Sequence, residues 1–470
     1  MTQDPPAPSR FARFRARAFA PVEIAPLVWF RVAFGAIMLV EVSRYFAHGW
    51  IERYFIEPQF MFKYYGFEWV QAWPGDGMKL HFFALGVLAA GIAAGCCYRL
   101  ATALFFVGFT YVFLLDQARY LNHFYLVCLY SFLVAVVPAH RAFSVDAWRR
   151  PAWRRGTAPA WTLWLLRAQI CAVYFFGGLA KLNGDWLHGE PLRMWLARRA
   201  NYPVVGPWFT HESAAYFFSY GGALFDLGIV PLLLWRRTRW LAFAAAAVFN
   251  LTNAWIFQIG IFPWLTFGAT VLLFAPRLPK PFPALWETRA TGAPSPARQR
   301  VTLALVGLYL AIQIFMPLRH WLYPGEVEWT EEGHRFSWRM KLRSKGADLV
   351  LYAHDPDANQ TWRVTLPNYL NRAQYEEAAG RPDMILQLAH HVADDFRSLG
   401  HAHIQIRARA VASLNGRADQ LLVDPDADLA AQPRTLGHAS WVTALTTPLS
   451  ERRAASPQSA VPAASESTDK

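Results

Sequence analysis

Nine apolar runs dictate what this chain can become. They fall near 25–46, 79–97, 100–117, 122–138, 162–182, 214–235, 240–257, 259–275 and 301–318. A helix needs roughly 20 apolar residues to cross about 30 Å of hydrocarbon, and each run meets or approaches that length. The pair at 240–257 and 259–275 is nearly continuous, with Gln258, Gly260 and Pro263 marking the break. Eight or nine transmembrane helices are therefore expected. With 54% hydrophobic and 17% charged residues, the chain is too apolar for an ordinary soluble enzyme. Trp, Tyr and Phe make up 16%, as expected where rings sit at membrane interfaces.

Charge orients the runs. Arg99, then Arg141, Arg149, Arg150, Arg154 and Arg155, then Arg236, Arg237 and Arg239, then Arg277, Lys280, Arg289, Arg298 and Arg300 fall in alternate loops. By the positive-inside rule these loops are cytoplasmic, together with Arg10, Arg13, Arg15 and Arg17. The loop 47–78 carries Glu52, Glu57, Glu68 and Asp76 and is expected outside. The loop 183–213, with Arg193, Arg198 and Arg199, departs from the pattern. No apolar h-region follows the N-terminal arginines, so 1–24 reads as a basic cytoplasmic lead-in and not as a signal peptide. The formal charge of +13 is this topology signal and does not point to nucleic acid. Cys96, Cys97, Cys128 and Cys171 lie in or at the ends of apolar runs. The C-terminal third therefore has no disulfide and no thiolate zinc cluster.

The character changes at about 321. Arg335–Leu342, Asp348–Ala353, Thr361–Leu366, Ile404–Val411 and Gln420–Val423 alternate or run β-branched, as strands do. Residues 370–398 read as one long helix, with Met384, Leu386, Leu388, Val392 and Phe396 among polar neighbours. The expected fold is a polytopic α-helical membrane domain over 25–320, followed by a β-rich soluble domain over 321–450. The Ala, Ser, Pro and Glu of 451–470 predict a disordered tail.

Topology brings polar residues to one depth near the outer face. Asp116 ends the third run, Asn122 and His123 open the fourth, Lys181 ends the fifth, and Asn250 and Asn253 sit in the outer half of the seventh. Polar groups at membrane depth are costly and tend to mark function. A lysine ending a membrane helix is ordinarily an anchor that snorkels to the headgroups. The sharper reading is a lysine kept neutral as a base. Lysine has a reference pKa near 10.4, so half neutrality at pH 7 needs a fall of about 3.4 units, about 4.6 kcal/mol. Burial can supply that, and a touching carboxylate would cancel it. Asp116 and Asp185 are therefore expected not to pair with Lys181. The plainer reading of Asn250, Asn253 and Asp226 is hydrogen-bond glue between helices. His123 is placed to polarise a substrate oxygen or, more plainly, to face water.

An ordered set of pieces resembles the vitamin K-dependent γ-glutamyl carboxylases, within the group sharing the horizontally transferred transmembrane (HTTM) domain. The pieces are Cys97-Tyr98-Arg99, Tyr111 through Asp116, Asn122-His123 with Tyr125-Leu126, and Ser144-Val145-Asp146. Arg167, Gln169, Val173-Tyr174-Phe175, Gly178, Lys181-Leu182 and Asp185-Trp186 follow. Gly221-Gly222, Asp226-Leu227, Phe257, Ile259-Gly260 and Phe262 continue it, and Ser337-Trp338, Pro367, Ser413, Asn415 and Asp424-Pro425 carry it into the outer domain. The resemblance implies a lysine base, matched by Lys181, and a histidine that orients the hydroquinone, matched by His123. Asn122, Asp116, Tyr174, Asn250, Asn253 and Trp186 are expected to bind substrate. The resemblance also implies reduced vitamin K, oxygen and carbon dioxide as reactants, quinone epoxide as a product, and a glutamate-containing protein or peptide as partner. No metal is implied. The Ala- and Arg-rich composition points to a bacterial member in the cytoplasmic membrane, where menaquinol would be available.

Two positions depart from the animal members. Asn250 stands where they have a histidine, and Arg343-Ser344-Lys345 stands where they have a histidine-containing stretch. Hydroquinone oxidation without carboxylation is the alternative this leaves. A transporter would show paired charges along a pore and an inverted repeat, and neither is visible. A membrane-anchored binding or assembly protein would leave Lys181 and His123 dispensable. Asp355-Pro356-Asp357 and Asp424-Pro425-Asp426 lack the glycine and terminal glutamate of a calcium loop. His390-His391 and His401-X-His403 have no cysteine partners and read as solvated faces.

Overall fold

The computed structural model describes residues 9–257, 259–274, 280–283, 286, 292 and 294–449. The expected tail over 451–470 lies outside the described residues, as do Gln258, Arg277 and Arg289. Among the described residues, seven helices are long and apolar enough to span a membrane, and two shorter apolar helices accompany them. They are α1 (Ala25–Ala47), α2 (Gly77–Ala94), α3 (Tyr98–Leu115), α4 (Asn122–Val136), α5 (Ala160–Ala180), α6 (Glu212–Leu234), α7 (Arg239–Phe257), α8 (Phe262–Phe274) and α9 (Pro296–Leu318). Each coincides with one of the nine runs.

Small residues set how closely these helices approach. A Cβ on Gly35 would lie 2.5 Å from the Ala93 backbone nitrogen, so α1 and α2 touch backbone to backbone there. A Cβ on Gly178 would lie 2.7 Å from Leu227 Cγ, which brings α5 against α6. Gly95 ends α2 with φ of 65°, a left-handed cap that glycine adopts without steric cost. Phe30, Phe34, Tyr98, Phe105 and Tyr130 fill the space between α1, α3 and α4.

The C-terminal domain is a four-stranded antiparallel sheet backed by helices. The strands are β1 (Lys345–Asp355), β2 (Gln360–Arg363), β3 (Gln405–Leu414) and β4 (Gln420–Leu421), in the order β2-β1-β3-β4. Leu349, Leu351 and Ala353 pair with Ala410, Ala408 and Ile406 on the buried face. The long helix α11 (Pro382–Ser398) covers that face with Met384, Ile385, Leu388 and Val392. The single helix expected over 370–398 is broken, because α10 (Arg372–Ala378) ends before Gly380-Arg381-Pro382. Proline disfavours the helical conformation in the residue before it.

The strand expected over Arg335–Leu342 is absent. The segment is a loop with positive φ at Phe336 (64°), Trp338 (56°) and Lys341 (54°), following Glu331 (66°). Such backbone costs of order 1–3 kcal/mol per residue and persists where its surroundings over-determine it. Here the surroundings are the membrane domain. Phe336 packs against Tyr120 and Tyr125, and Trp338 is wholly buried at 5.0 Å from Tyr125. The aromatic alternation that resembles a strand is a wedge driven into the mouth of the bundle.

Polar contacts fix the rest of the docking. Asp116 accepts from the backbone of Phe62 and Ala118 and from Gln374 Nε2 at 3.2 Å. Gln387 joins Gln117 and the backbone of Lys63. The C-terminal domain therefore sits on the end of the bundle where α3 stops and α4 begins.

Candidate active site

The sequence places Lys181 at the end of α5 and Asp226 in the middle of α6, and the glycines of α5 bring the two together. Lys181 Nζ donates to Asp226 Oδ2 at 2.5 Å and to the Gly177 carbonyl at 3.1 Å. Both side chains are buried. The Lys181 nitrogen also lies 5.5 Å from the centre of the Trp186 ring. Trp186 is held by its own Nε1 bond to the Ser219 carbonyl, so the turn after α5 is fastened to α6.

This corrects the expectation of a lysine in carboxylate-free surroundings. Asp116 and Asp185 do stay away from Lys181, but Asp226 touches it. The plainer reading of Asp226 as glue between α5 and α6 is half of what it does, since its partner is the lysine itself. A carboxylate in the interior of a 23-residue apolar helix was the signal in the sequence.

The pair opens onto a cavity of about 100 Å³ lined by Tyr174, Trp186, Trp195, Phe218, Phe249, Asn250, Asn253, Phe257, Phe262 and Met340, among others. Asn250 is committed: it donates to the Ala246 carbonyl and accepts from Thr266 Oγ1 at 2.7 Å. Tyr174 Oη is 3.3 Å from Thr270 Oγ1. Of the residues singled out in the sequence, Lys181, Tyr174, Trp186, Asn250 and Asn253 thus share one cavity.

His123 and Asn122 line a neighbouring cleft of about 620 Å³ between the bundle and the outer domain. Among the described residues neither His123 ring nitrogen has a hydrogen-bond partner, while Asn122 accepts from Tyr120 Oη at 3.1 Å. The cleft is lined by Arg44, Arg119, Arg339, Lys341, Arg343 and Arg381, of which Arg44, Arg339, Arg343 and Arg381 are ion-paired with Glu41, Glu328, Glu331 and Glu377. Trp195, Ile259, Phe262, Met340 and Lys341 line both spaces. Asp116 belongs to neither of them: it accepts from the backbone of Phe62 and Ala118 and, across the domain boundary, from Gln374. Trp195, Met340 and Lys341 carried no signal in the sequence, because the wedge and the 183–213 loop reach this wall only through tertiary packing.

Residues 19–277, more than half of the chain, match the HTTM domain, and residues 298–448 match the lumenal domain of vitamin K-dependent gamma-carboxylase. The chain belongs to the vitamin K-dependent gamma-carboxylase-like HTTM family. No solved structure matches it. The two matched segments meet at the cavity, since Met340 and Lys341 come from the lumenal-type domain and the other side chains lining it from the HTTM domain.

The family implies a vitamin K-related cosubstrate, and the cavity suits one in kind. Its walls are aromatic and apolar, with a cation, a carboxylate and amides at a few fixed points, as in cofactor pockets generally. Its volume takes one edge of a ring. Ligand pockets usually measure about 300–1,000 Å³, so a two-ring quinol needs the adjoining cleft or a movement of Met340. Among the described residues no group of His, Cys, Asp and Glu is arranged to hold a metal ion.

Proposed function

We propose that this protein is a quinol-dependent membrane carboxylase. It binds reduced vitamin K or menaquinol beside Lys181, with His123 orienting the ring from the neighbouring cleft. The base centred on Lys181 removes a quinol hydroxyl proton. Oxygen then adds to the quinolate, and the resulting strong base takes the γ-proton of a peptidyl glutamate. Carbon dioxide traps the carbanion, and the quinol leaves as its epoxide. The observation that carries this reading is the buried Lys181–Asp226 pair opening into an aromatic cavity. The arginine-lined cleft beside it suits a glutamate-containing peptide.

The same reading places the protein in a bacterial cytoplasmic membrane, with its N-terminus inside and its C-terminal domain outside. The arginine-rich loops support that orientation, and 1–24, 25–320 and 321–450 are its proposed units. Asn250 favours a second reading, quinol epoxidation without carboxylation, because its side chain is tied to Ala246 and Thr266.

The test is epoxide formation by the purified protein in nanodiscs with reduced vitamin K and oxygen, wild type against Lys181→Ala. Epoxide from the wild type alone supports the reading. Adding glutamate peptides and labelled carbon dioxide then separates carboxylase from epoxidase. No epoxide from either protein, with quinol bound and kept reduced, sinks the enzyme and leaves a membrane binding protein.

A further inference from the structure

Lys341 stands where the two spaces meet. It lines the cavity together with Lys181, and it lines the cleft together with five arginines. Four of those arginines are ion-paired with glutamates, and Arg119 lies over the Tyr54 ring at 4.2 Å. Lys181 is held by Asp226. Among the described residues, Lys341 is the cation common to both linings. Its ammonium lies 5.3 Å from the centre of the Trp195 ring, and Trp195 likewise lines both spaces. An ammonium drawn to a ring face by the quadrupole can still donate to an oxygen on its other side. The backbone of Lys341 is left-handed, with φ of 54°. Such conformations cluster at ligand clamps, where the surroundings over-determine them.

From this geometry we infer that Lys341 holds the γ-carboxylate of the glutamate substrate at the mouth of the cavity. The inference rests on the carboxylase function proposed above. The γ-proton leaves the carbon bonded to that carboxylate, so the carboxylate must reach the junction of the two spaces. Taking a carboxylate out of water is costly unless it meets a cation and hydrogen-bond donors, and Lys341 supplies both there. Breaking the C–H bond gives the proton to the oxygenated quinol and leaves the electron pair on the substrate, conjugated with the carboxylate. The substrate then carries two negative charges where it carried one. The same electron pair forms the new carbon–carbon bond to carbon dioxide, and the second charge becomes a second carboxylate. A cation already fixed beside the growing charge stabilises it without reorganising. Lys341 belongs to the outer domain and Lys181 to the bundle, so recognition of glutamate and deprotonation of quinol are divided between the two.

Equilibrium binding tests the assignment. The probes are a coumarin-labelled apolar peptide with one glutamate and blocked ends, and the same peptide with glutamine in its place. Both are titrated into wild type, Lys341→Met and Lys341→Arg in nanodiscs, with reduced vitamin K present and oxygen excluded. The wild type should prefer glutamate by about 10–100-fold, the worth of a hydrogen bond to a charged group. Lys341→Met should bind the two peptides equally, and Lys341→Arg should keep the preference. A displaced wedge weakens both peptides together and leaves their ratio, so the ratio separates recognition from structure. A wild type that binds the peptides equally or not at all, or a Lys341→Met that keeps the preference, overturns the inference. A Lys341→Met that loses quinol affinity with the ratio kept assigns the ammonium to the quinol oxygen and overturns it as well.

A measurement on the wild type keeps the inference falsifiable where a variant misfolds. A water-soluble carbodiimide activates the γ-carboxyl of the glutamate peptide, and an amine in contact with it displaces the urea and forms an amide. Mass spectrometry of the digested protein should find that amide on Lys341. An amide on another lysine, or none, overturns the inference. Epoxide formation by the same wild type reports on the function separately. Epoxide without the amide at Lys341 sinks the inference alone, and no epoxide from bound, reduced quinol sinks the function as well.

Discussion

Arg417 grips Asp185 with both terminal nitrogens, Nη1 on Oδ2 and Nη2 on Oδ1, each at 2.6 Å. Asp185 lies four residues beyond Lys181, and Arg417 sits in the turn between β3 and β4 of the outer domain. Asn415 Nδ2 adds a third bond to the same carboxylate at 2.7 Å. The outer domain thereby holds the turn that carries Lys181 and Trp186. The pair is half-buried, and losing its hydrogen bonds to a charged group costs about 1.5–3 kcal/mol. Arg417→Ala should therefore lower the melting temperature in detergent and slow epoxide formation. Arg417→Ala/Asp185→Ala should be less destabilised than the sum of the two single variants. Additive losses would mean that the pair is not coupled.

The approach of α5 to α6 is equally testable. A methyl on Gly178 collides with Leu227 at 2.7 Å, whereas a methyl on Gly221, in α6, meets nothing within 4 Å. Gly178→Ala should cost about 1–3 kcal/mol through overpacking and weaken the Lys181–Asp226 contact, with loss of activity. Gly221→Ala should behave like the wild type in both melt and rate. Equal behaviour of the two variants would remove the close-packing account.

His123 has no hydrogen-bond partner to lose among the described residues, so His123→Ala should leave the melting temperature nearly unchanged. If the ring holds the quinol, the variant should raise the quinol KM by about tenfold, the worth of one hydrogen bond of about 1–1.5 kcal/mol. A large fall in melting temperature with an unchanged KM would make the residue a structural one.

Lys345 gives the outer domain a pH dependence of known sign. Its side chain is buried, with its nitrogen bonded to the Trp329 carbonyl and 3.6 Å from Glu331 Oε1. Burial pushes it down to about 7, and the charge of Glu331 works in the opposite direction. Between pH 7 and the unfolded value near 10.4, the unfolded chain carries a proton that the folded chain lacks. Stability then rises with pH, by at most about 1.4 kcal/mol per unit from this group. Below pH 7 both states are protonated and the contribution is flat. Denaturation of wild type and Lys345→Met at pH 6, 7.5 and 9 should show the wild type gaining on the variant only above pH 7. A gap that stays constant or narrows would refute the buried neutral lysine.

Hydropathy alone determined the nine apolar helices, because the bilayer demands long apolar runs whatever their neighbours do. Period-two patterning likewise determined β1 and β3, where Leu349, Leu351 and Ala353 alternate with exposed residues. Lys181, Asn250 and Asn253 were legible as a group because helix direction sets the depth of each residue, whereas Asn122 and His123, read at the same depth, line the neighbouring cleft and Asp116 lines neither space. The wedge was not legible. Phe336 and Trp338 alternate like strand residues, and only their burial against Tyr120 and Tyr125 holds the backbone at positive φ. Nor could depth say which polar residues touch. Asp116 ends one apolar run and Asp226 lies inside another, yet the first binds Gln374 of the outer domain and the second binds Lys181. Depth is a one-dimensional coordinate that each helix carries in its own sequence. Contact also needs the rotation and spacing of two helices, and here Gly178 against Leu227 sets them, a relation between segments 49 residues apart that neither segment contains alone.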